Sequence, residues 1–224
     1  MIPVLLTRIK TRDGIILEGI AVLPTLRTGK FPRFARRAKH KHETALIWIH
    51  GLSSRFSSGQ TVIKKLASSC QRAGIGYFKF NTRGHDIAFR ANTMIMGGGF
   101  ERFEDCVLDI RAIIRFVRKL GFSHIILAGH STGANKALYY CHTTKDKSIK
   151  GLILLGAMSD IVALREEMGS KKFTTACRVA NRLRKNKAAL MPVTYGLFSA
   201  HRFWSLCHAK EKEDTFPYYD AKRT

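Results

Sequence analysis

The sequence predicts an α/β fold: a mostly parallel sheet with an N-terminal antiparallel hairpin and a helical segment near the C-terminus. Short apolar runs with little polar alternation recur at 45–50, 75–81, 124–129 and 150–157. Such runs suit strands covered on both faces. Segments of helical periodicity separate them, and strand–helix alternation argues for parallel neighbours joined by crossovers.

The elements follow in order. "VLLTRIKT" and "GIILEGIAVL" flank Arg12-Asp13-Gly14, and Asp-Gly between β-rich runs is a hairpin signal. The stretch 27–42 is basic and punctuated by Pro and Gly, so it reads as a loop. "ALIWIH" then gives a strand, 58–73 a helix and "IGYFKFN" another strand. "ERFEDCVLDIRAIIRFVRKLG" is the clearest helix, with Phe103, Cys106, Val107, Ile110, Ile113, Ile114, Val117 and Leu120 on one face. Glu101, Glu104 and Asp105 are expected in its first turns, where the helix dipole favours negative charge, and Gly121 follows its end. "HIILAG" and "KGLILLGA" supply two more strands, with a helix from about 132 to 142 between them. Beyond residue 158 the chain reads as helical to 190, then as an aromatic-rich stretch of mixed signals to 208, then as a polar tail.

Composition bounds the function. At 224 residues, 45% hydrophobic and 25% charged, the chain fits one globular domain. No apolar run approaches the roughly 20 residues that span a bilayer, and no basic leader precedes an apolar block at the start. A cytoplasmic protein without a membrane span is expected. The five cysteines are widely spaced and odd in number, which points to reduced thiols. The nine histidines form no metal-binding pattern, so neither a metal nor another cofactor is expected. A formal charge of +23 favours anionic partners in general. Its two concentrations, 27–42 and 171–187, carry no nucleic-acid-binding signature and read as solvated faces. In the second, Phe173, Cys177, Ala180 and Leu183 fall at helical spacing opposite the cations.

Three stretches fall at C-terminal strand ends, where open α/β sheets place their ligands: "HGLSS" (50–54), "NTRGHD" (81–86) and "GHSTGA" (129–134). Gly129-x-Ser131-x-Gly133 fits a sharp strand-to-helix turn that pushes a serine hydroxyl outward. With these three motifs in this order the chain resembles the α/β-hydrolase superfamily, in particular a serine-hydrolase branch of esterase and serine-aminopeptidase type. The resemblance runs from the opening hairpin to "TFPYYD". It implies Ser131 as nucleophile and an oxyanion hole from the backbone N–H groups of Leu52 and Thr132. The substrate implied is a small acyl compound carrying an ester, amide or related bond, cleaved through an acyl-enzyme. Residues 1–157 would form the hydrolase core and 158–224 a cap-like helical segment with its tail. Arg83 and His85 would hold their loop, and His130 would serve in packing.

In this superfamily the acid and then the histidine follow the serine in chain order. Ninety-three residues follow Ser131, and one strand with a helical segment uses most of them. Two further strand–helix units need on the order of 60 more residues, so the last strands are expected to be missing. Asp160 is the best internal candidate for the acid, with a helix cap as its competing role. His201 and His208 fit the order but fall in the cap-like segment, and no triad histidine is identified. A catalytically silent, ligand-binding relative is the alternative reading.

Overall fold

The structure is a computed structural model, and it describes residues 3–24, 43–91, 93–186, 188–208, 210 and 212–222. The basic loop expected at 27–42 lies outside the described residues. The chain opens with β1 (Leu5–Lys10) and β2 (Ile16–Val22), paired antiparallel. Thr11 fixes the turn: its Oγ1 donates to Asp13 Oδ1 (2.6 Å) and accepts from the Ile15 N–H (2.9 Å). Then come β3 (Thr44–Ile49), α1 (Gln60–Arg72) and β4 (Gly76–Phe80). A small hairpin of β5 (Phe89–Ala91) and β6 (Met94–Met96) follows, and its short strands had no clear sequence signal.

α2 spans Cys106–Lys119 and starts later than its sequence suggested. A single 3-10 turn at Phe103–Asp105 leads into it, and Glu101 lies outside the helix altogether. The reason is electrostatic: the Glu101 carboxylate is buried against the Lys136 ammonium, at 2.7 and 2.8 Å, and so does not serve the helix dipole. β7 (His124–His130), α3 (Thr132–Thr144) and β8 (Ile149–Leu155) complete the alternation.

Six strands form one sheet in the order β1-β2-β4-β3-β7-β8, with β4, β3, β7 and β8 mutually parallel and β1 and β2 antiparallel to their neighbours. Every residue of β4 is buried, as its unbroken apolar run requires. β8 is different. It lies at the edge and exposes Ile153 and Leu155. One face of the sheet packs on α2 through Ile110, Ile113, Ile114 and Val117. Each such aliphatic side chain contributes about 1.5–3 kcal/mol on burial. The other face holds Ile20, Val22, Leu46 and Tyr77 against Ala67 and Cys70 of α1.

After β8 the chain forms α4 (Asp160–Met168), α5 (Ser170–Leu183) and α6 (Ala200–Cys207). Gly169, at φ 76° and ψ 145°, breaks the helical stretch into α4 and α5, a conformation an L-residue rarely adopts. The amphipathic face expected for 171–187 is seen over Ser170–Leu183: Ala176 and Ala180 are buried, and Lys171, Lys172, Arg178 and Arg182 are exposed. The mixed-signal stretch resolves into a loop and α6, whose Phe203 is buried in the same cluster. The tail departs from expectation. Glu213 and Asp214 are buried: Arg202 and Ser205 of α6 receive the Glu213 carboxylate, and the Tyr219 and Ser159 hydroxyls donate to Asp214. All five cysteines are free thiols, and no described helix is long and apolar enough to cross a membrane.

Candidate active site

The site is organised by a strained turn between β7 and α3. Ser131 has φ 55° and ψ −133°, a positive-φ conformation that costs a non-glycine residue about 1–3 kcal/mol. Its neighbours explain how the turn is held. A Cβ on Gly129 would lie 2.2 Å from the Gly133 carbonyl oxygen, and one on Gly133 would lie 2.3 Å from that of Ile49. Both glycines are therefore required by close backbone approach. The Ser131 N–H donates to Leu155 O (2.9 Å), which ties the turn to the end of β8.

The loop after β3 abuts the serine. A Cβ on Gly51 would sit 3.0 Å from Ser131 Cβ and 3.4 Å from its Oγ, so Gly51 brings the Leu52 segment beside the hydroxyl without a side chain between them. His50 anchors that loop. Its Nε2 accepts from the Thr82 N–H (2.9 Å), which leaves the proton on Nδ1, facing Gly51 O at 2.8 Å. Burial, and then the nearby Lys136 ammonium, hold its pKa down to about 3, so His50 is a neutral strut and not a base. Thr132 opens α3 and is buried, placing its backbone at the positive end of the helix dipole.

The 81–86 loop is structural. Arg83 donates through Nε and Nη2 to Asp109 Oδ1 (3.0 and 2.9 Å), and Nη1 meets Asp13 Oδ2 at 2.9 Å. Asp109 is fully buried; burial raises its pKa to about 6, against the opposing pull of Arg83. His85 bonds Asp86 Oδ2 through Nδ1 (2.8 Å) and stacks on Phe89, with ring centroids 4.0 Å apart. His130 is exposed and lies near-parallel to Trp48, 6.4 Å between centroids, so it is a surface ring rather than a packed one.

The serine hydroxyl donates to the thioether of Met158, at 3.2 Å. No hydrogen bond joins it to an imidazole among the described residues. Asp160 lies on the far side of the turn: Oδ1 accepts from Thr132 Oγ1 and Oδ2 from Asn135 Nδ2, both at 3.3 Å. It does not cap α4; that role belongs to Ser159, whose Oγ accepts from the Val162 N–H. Burial first, and then the Glu213 carboxylate, raise the Asp160 pKa to about 7. His201 and His208 both belong to the end of the chain around α6.

Sequence reasoning missed the charged group beneath the turn. Lys136, from "GHSTGANK", pairs with Glu101; Arg202 reaches Glu101 Oε1 (3.4 Å), donates to Gly98 O (2.9 Å) and pairs with Glu213. Asn135 Nδ2 also donates to Glu213 O (3.2 Å). The available signal was an apolar helix opening that nonetheless carried Asn and Lys. A groove of about 600 Å³ lined by Leu6, Thr7, Arg8, Glu18, Gly19 and Phe56 lies on the outer hairpin, and none of its lining residues belongs to this turn.

A six-stranded, mostly parallel sheet with a strained serine at a strand–helix turn is an α/β-hydrolase arrangement. Residues 40–211 match the family model described as serine aminopeptidase, S33, and the chain belongs to that family of hydrolases. No curated protein matches the sequence. Among solved structures it is similar to the siderophore hydrolase EstB from Aspergillus fumigatus, with a TM-score of 0.63 at 17% identity over 100% of this chain and 70% of that one. DcsB, solved in complex with a substrate analogue, gives 0.58 at 16% identity over 83% of this chain. The Pyrococcus furiosus esterase Pf2001 gives 0.52 at 17% identity over 78%. The chain spans 54% of the DcsB chain and 59% of the Pf2001 chain.

Proposed function

We propose that the protein is a serine hydrolase that cleaves an ester or related acyl bond of a small substrate through an acyl-enzyme on Ser131. The observation that carries this reading is the positive φ of Ser131 directly beside Gly51. A strained serine with a side-chain-free loop against it is what attack on a carbonyl needs, because the carbonyl carbon must reach Oγ while its oxygen meets donors. In this reading the donors are the Leu52 and Thr132 N–H groups. They act on the charge that develops in the transition state, where one such donor is worth roughly 100- to 1,000-fold in rate. The helical segment after β8 serves as a cap over the site.

Proton transfer is the weak step. Met158 sulfur accepts from the hydroxyl but is a poor base, and Asp160 reaches the turn only through Thr132 and Asn135. Asp160 is the internal candidate acid, positioned to set the polarity behind the turn. Slow turnover follows, with acylation depending on the oxyanion donors; binding and such donors alone leave roughly 1,000- to 10,000-fold over water. The test is hydrolysis of short-chain p-nitrophenyl esters with acid quenching and intact-mass analysis. An acyl adduct on Ser131 that accumulates and is absent from Ser131→Ala supports the proposal. Equal hydrolysis by both proteins overturns it. Tight ligand binding with no adduct would favour the alternative, a silent hydrolase-like binding protein.

A further inference from the structure

The end of α6 meets the middle of α5 through sulfur. Cys177 follows the buried Ala176 of α5, and Cys207 closes α6 one turn after the buried Phe203. Both belong to the apolar cluster that joins the two helices, and their side chains are hydrogen-bonded to each other there. Each is half-buried, so a small molecule in solution can reach the pair.

The direction of that hydrogen bond matters. Cys207 donates to the Cys177 sulfur, and this outweighs burial in holding the Cys177 pKa below the ordinary thiol value. The other acceptor for the Cys207 proton is Trp204 O, at 3.7 Å. The remaining thiols are placed differently. Cys70, Cys106 and Cys141 sit on α1, α2 and α3, and burial pushes the pKa of all three up. The thiolate is the reactive form of cysteine, so an oxidant that samples all of these thiols meets its best nucleophile at Cys177.

We propose that Cys177 and Cys207 are an oxidisable dithiol that closes to an intramolecular disulfide by exchange with a small disulfide such as oxidised glutathione. The Cys177 thiolate attacks one glutathione sulfur, the glutathione S–S bond breaks, and one glutathione leaves as a thiolate with the electron pair. Cys207 then gives up its proton, attacks the Cys177 sulfur of the mixed disulfide and expels the second glutathione. Two protein thiols are oxidised, one small disulfide is reduced to two thiols, and the two protons pass through water to the leaving thiolates. Sulfurs already within hydrogen-bonding reach need only side-chain rotation to close to the S–S length of about 2.05 Å. The bond ties α5 to the C-terminal end of α6 and makes a ring of the chain between them. That ring includes Ser199, whose N–H donates to Gly99 O (2.8 Å), next to the Gly98 that packs on Ser53 and Leu52. Oxidation therefore stiffens the support of the Leu52 loop. The pair itself needs nothing of Ser131 and stands apart from the hydrolase reading.

The test is incubation of the full chain with oxidised glutathione at neutral pH, acid quenching, alkylation of the remaining thiols in denaturant, and intact-mass and peptide-mass analysis. The oxidised chain should lose about 2 Da, take up three alkyl groups where the reduced chain takes up five, and yield a peptide cross-linked between Cys177 and Cys207. Dithiothreitol should reverse the change. Cys207→Ser should stop at a glutathione adduct on Cys177, and neither Cys207→Ser nor Cys177→Ser should form the cross-link. The oxidised parent should melt at a higher temperature than the reduced one, a difference absent from Cys177→Ser. Five alkyl groups after oxidation, or a cross-link that omits either residue, overturns the proposal. So does a glutathione adduct on Cys70, Cys106 or Cys141 with Cys177 unmodified. The peptide map of the parent protein decides the matter even where a serine variant fails to fold.

Discussion

Ser131 holds a backbone conformation that is unfavourable for any residue with a Cβ, and the surrounding packing leaves it no alternative. Gly133 shows why. A methyl there meets the backbone oxygens of Ile49 and His50 at 2.3 and 2.6 Å, and backbone cannot swing aside as a side chain can. Gly133→Ala is thus expected to lower stability by about 1–3 kcal/mol or more, read as a drop in the urea midpoint. Gly51→Ala tests a different thing. Its Cβ would crowd Ser131 Cβ at 3.0 Å, so the fold should persist while, under the proposed mechanism, reaction at Ser131 falls by roughly 100-fold as the proposed donor loop shifts. The turn was legible in the sequence because only glycine fits at 129 and 133. The thioether of Met158 on the hydroxyl was not, since nothing in "LGAMSDI" tells which side chain a chain reversal points inward.

At the scale of elements, the buried ions join parts that are far apart in sequence. Lys136 on α3 meets Glu101 before α2, and Arg202 on α6 meets both Glu101 and Glu213 in the tail. All four side chains are nearly inaccessible, so each charge depends on its partners. Arg202→Met leaves the Glu101 and Glu213 carboxylates short of a cation. It is expected to cost about 3–5 kcal/mol in the unfolding free energy and to free the tail to limited proteolysis after α6. Helices α1, α2 and α3 and the four parallel strands were legible because apolar periodicity is a local signal. The ion pairs span 35 and 101 residues, and a lone Glu or Lys reads locally as a solvated or dipole-capping charge. That is how Glu101 came to be expected in the first turn of α2.

Over the whole molecule, buried titrating groups make stability depend on pH in opposing ways. Asp160 has its pKa raised from the ordinary 3.8 to about 7, so between those values the folded state holds a proton that the unfolded state has lost. Its contribution therefore falls as pH rises through that window. His50, lowered from 6.5 to about 3, acts with the opposite sign: below 6.5 the unfolded state takes up a proton first, and stability falls as pH drops. The two partly cancel in the parent, and a difference measurement separates them. The melting temperature of Asp160→Asn minus that of the parent should climb from about pH 4 to about pH 7 and stay level above it. A difference that does not vary with pH would mean that Asp160 ionises normally. The sheet order places the outer hairpin at one edge and β8 at the other, with the serine turn at the end of β7 just inside that second edge.

The central proposal is that Ser131 is a half-buried nucleophile held at a strained turn, and covalent labelling reads it most directly. Folded protein treated with a fluorophosphonate should gain one adduct, mapped by peptide mass to Ser131, lost in Ser131→Ala and in heat-unfolded protein. Absence of an adduct on the folded chain, or an adduct that survives Ser131→Ala, would contradict the account.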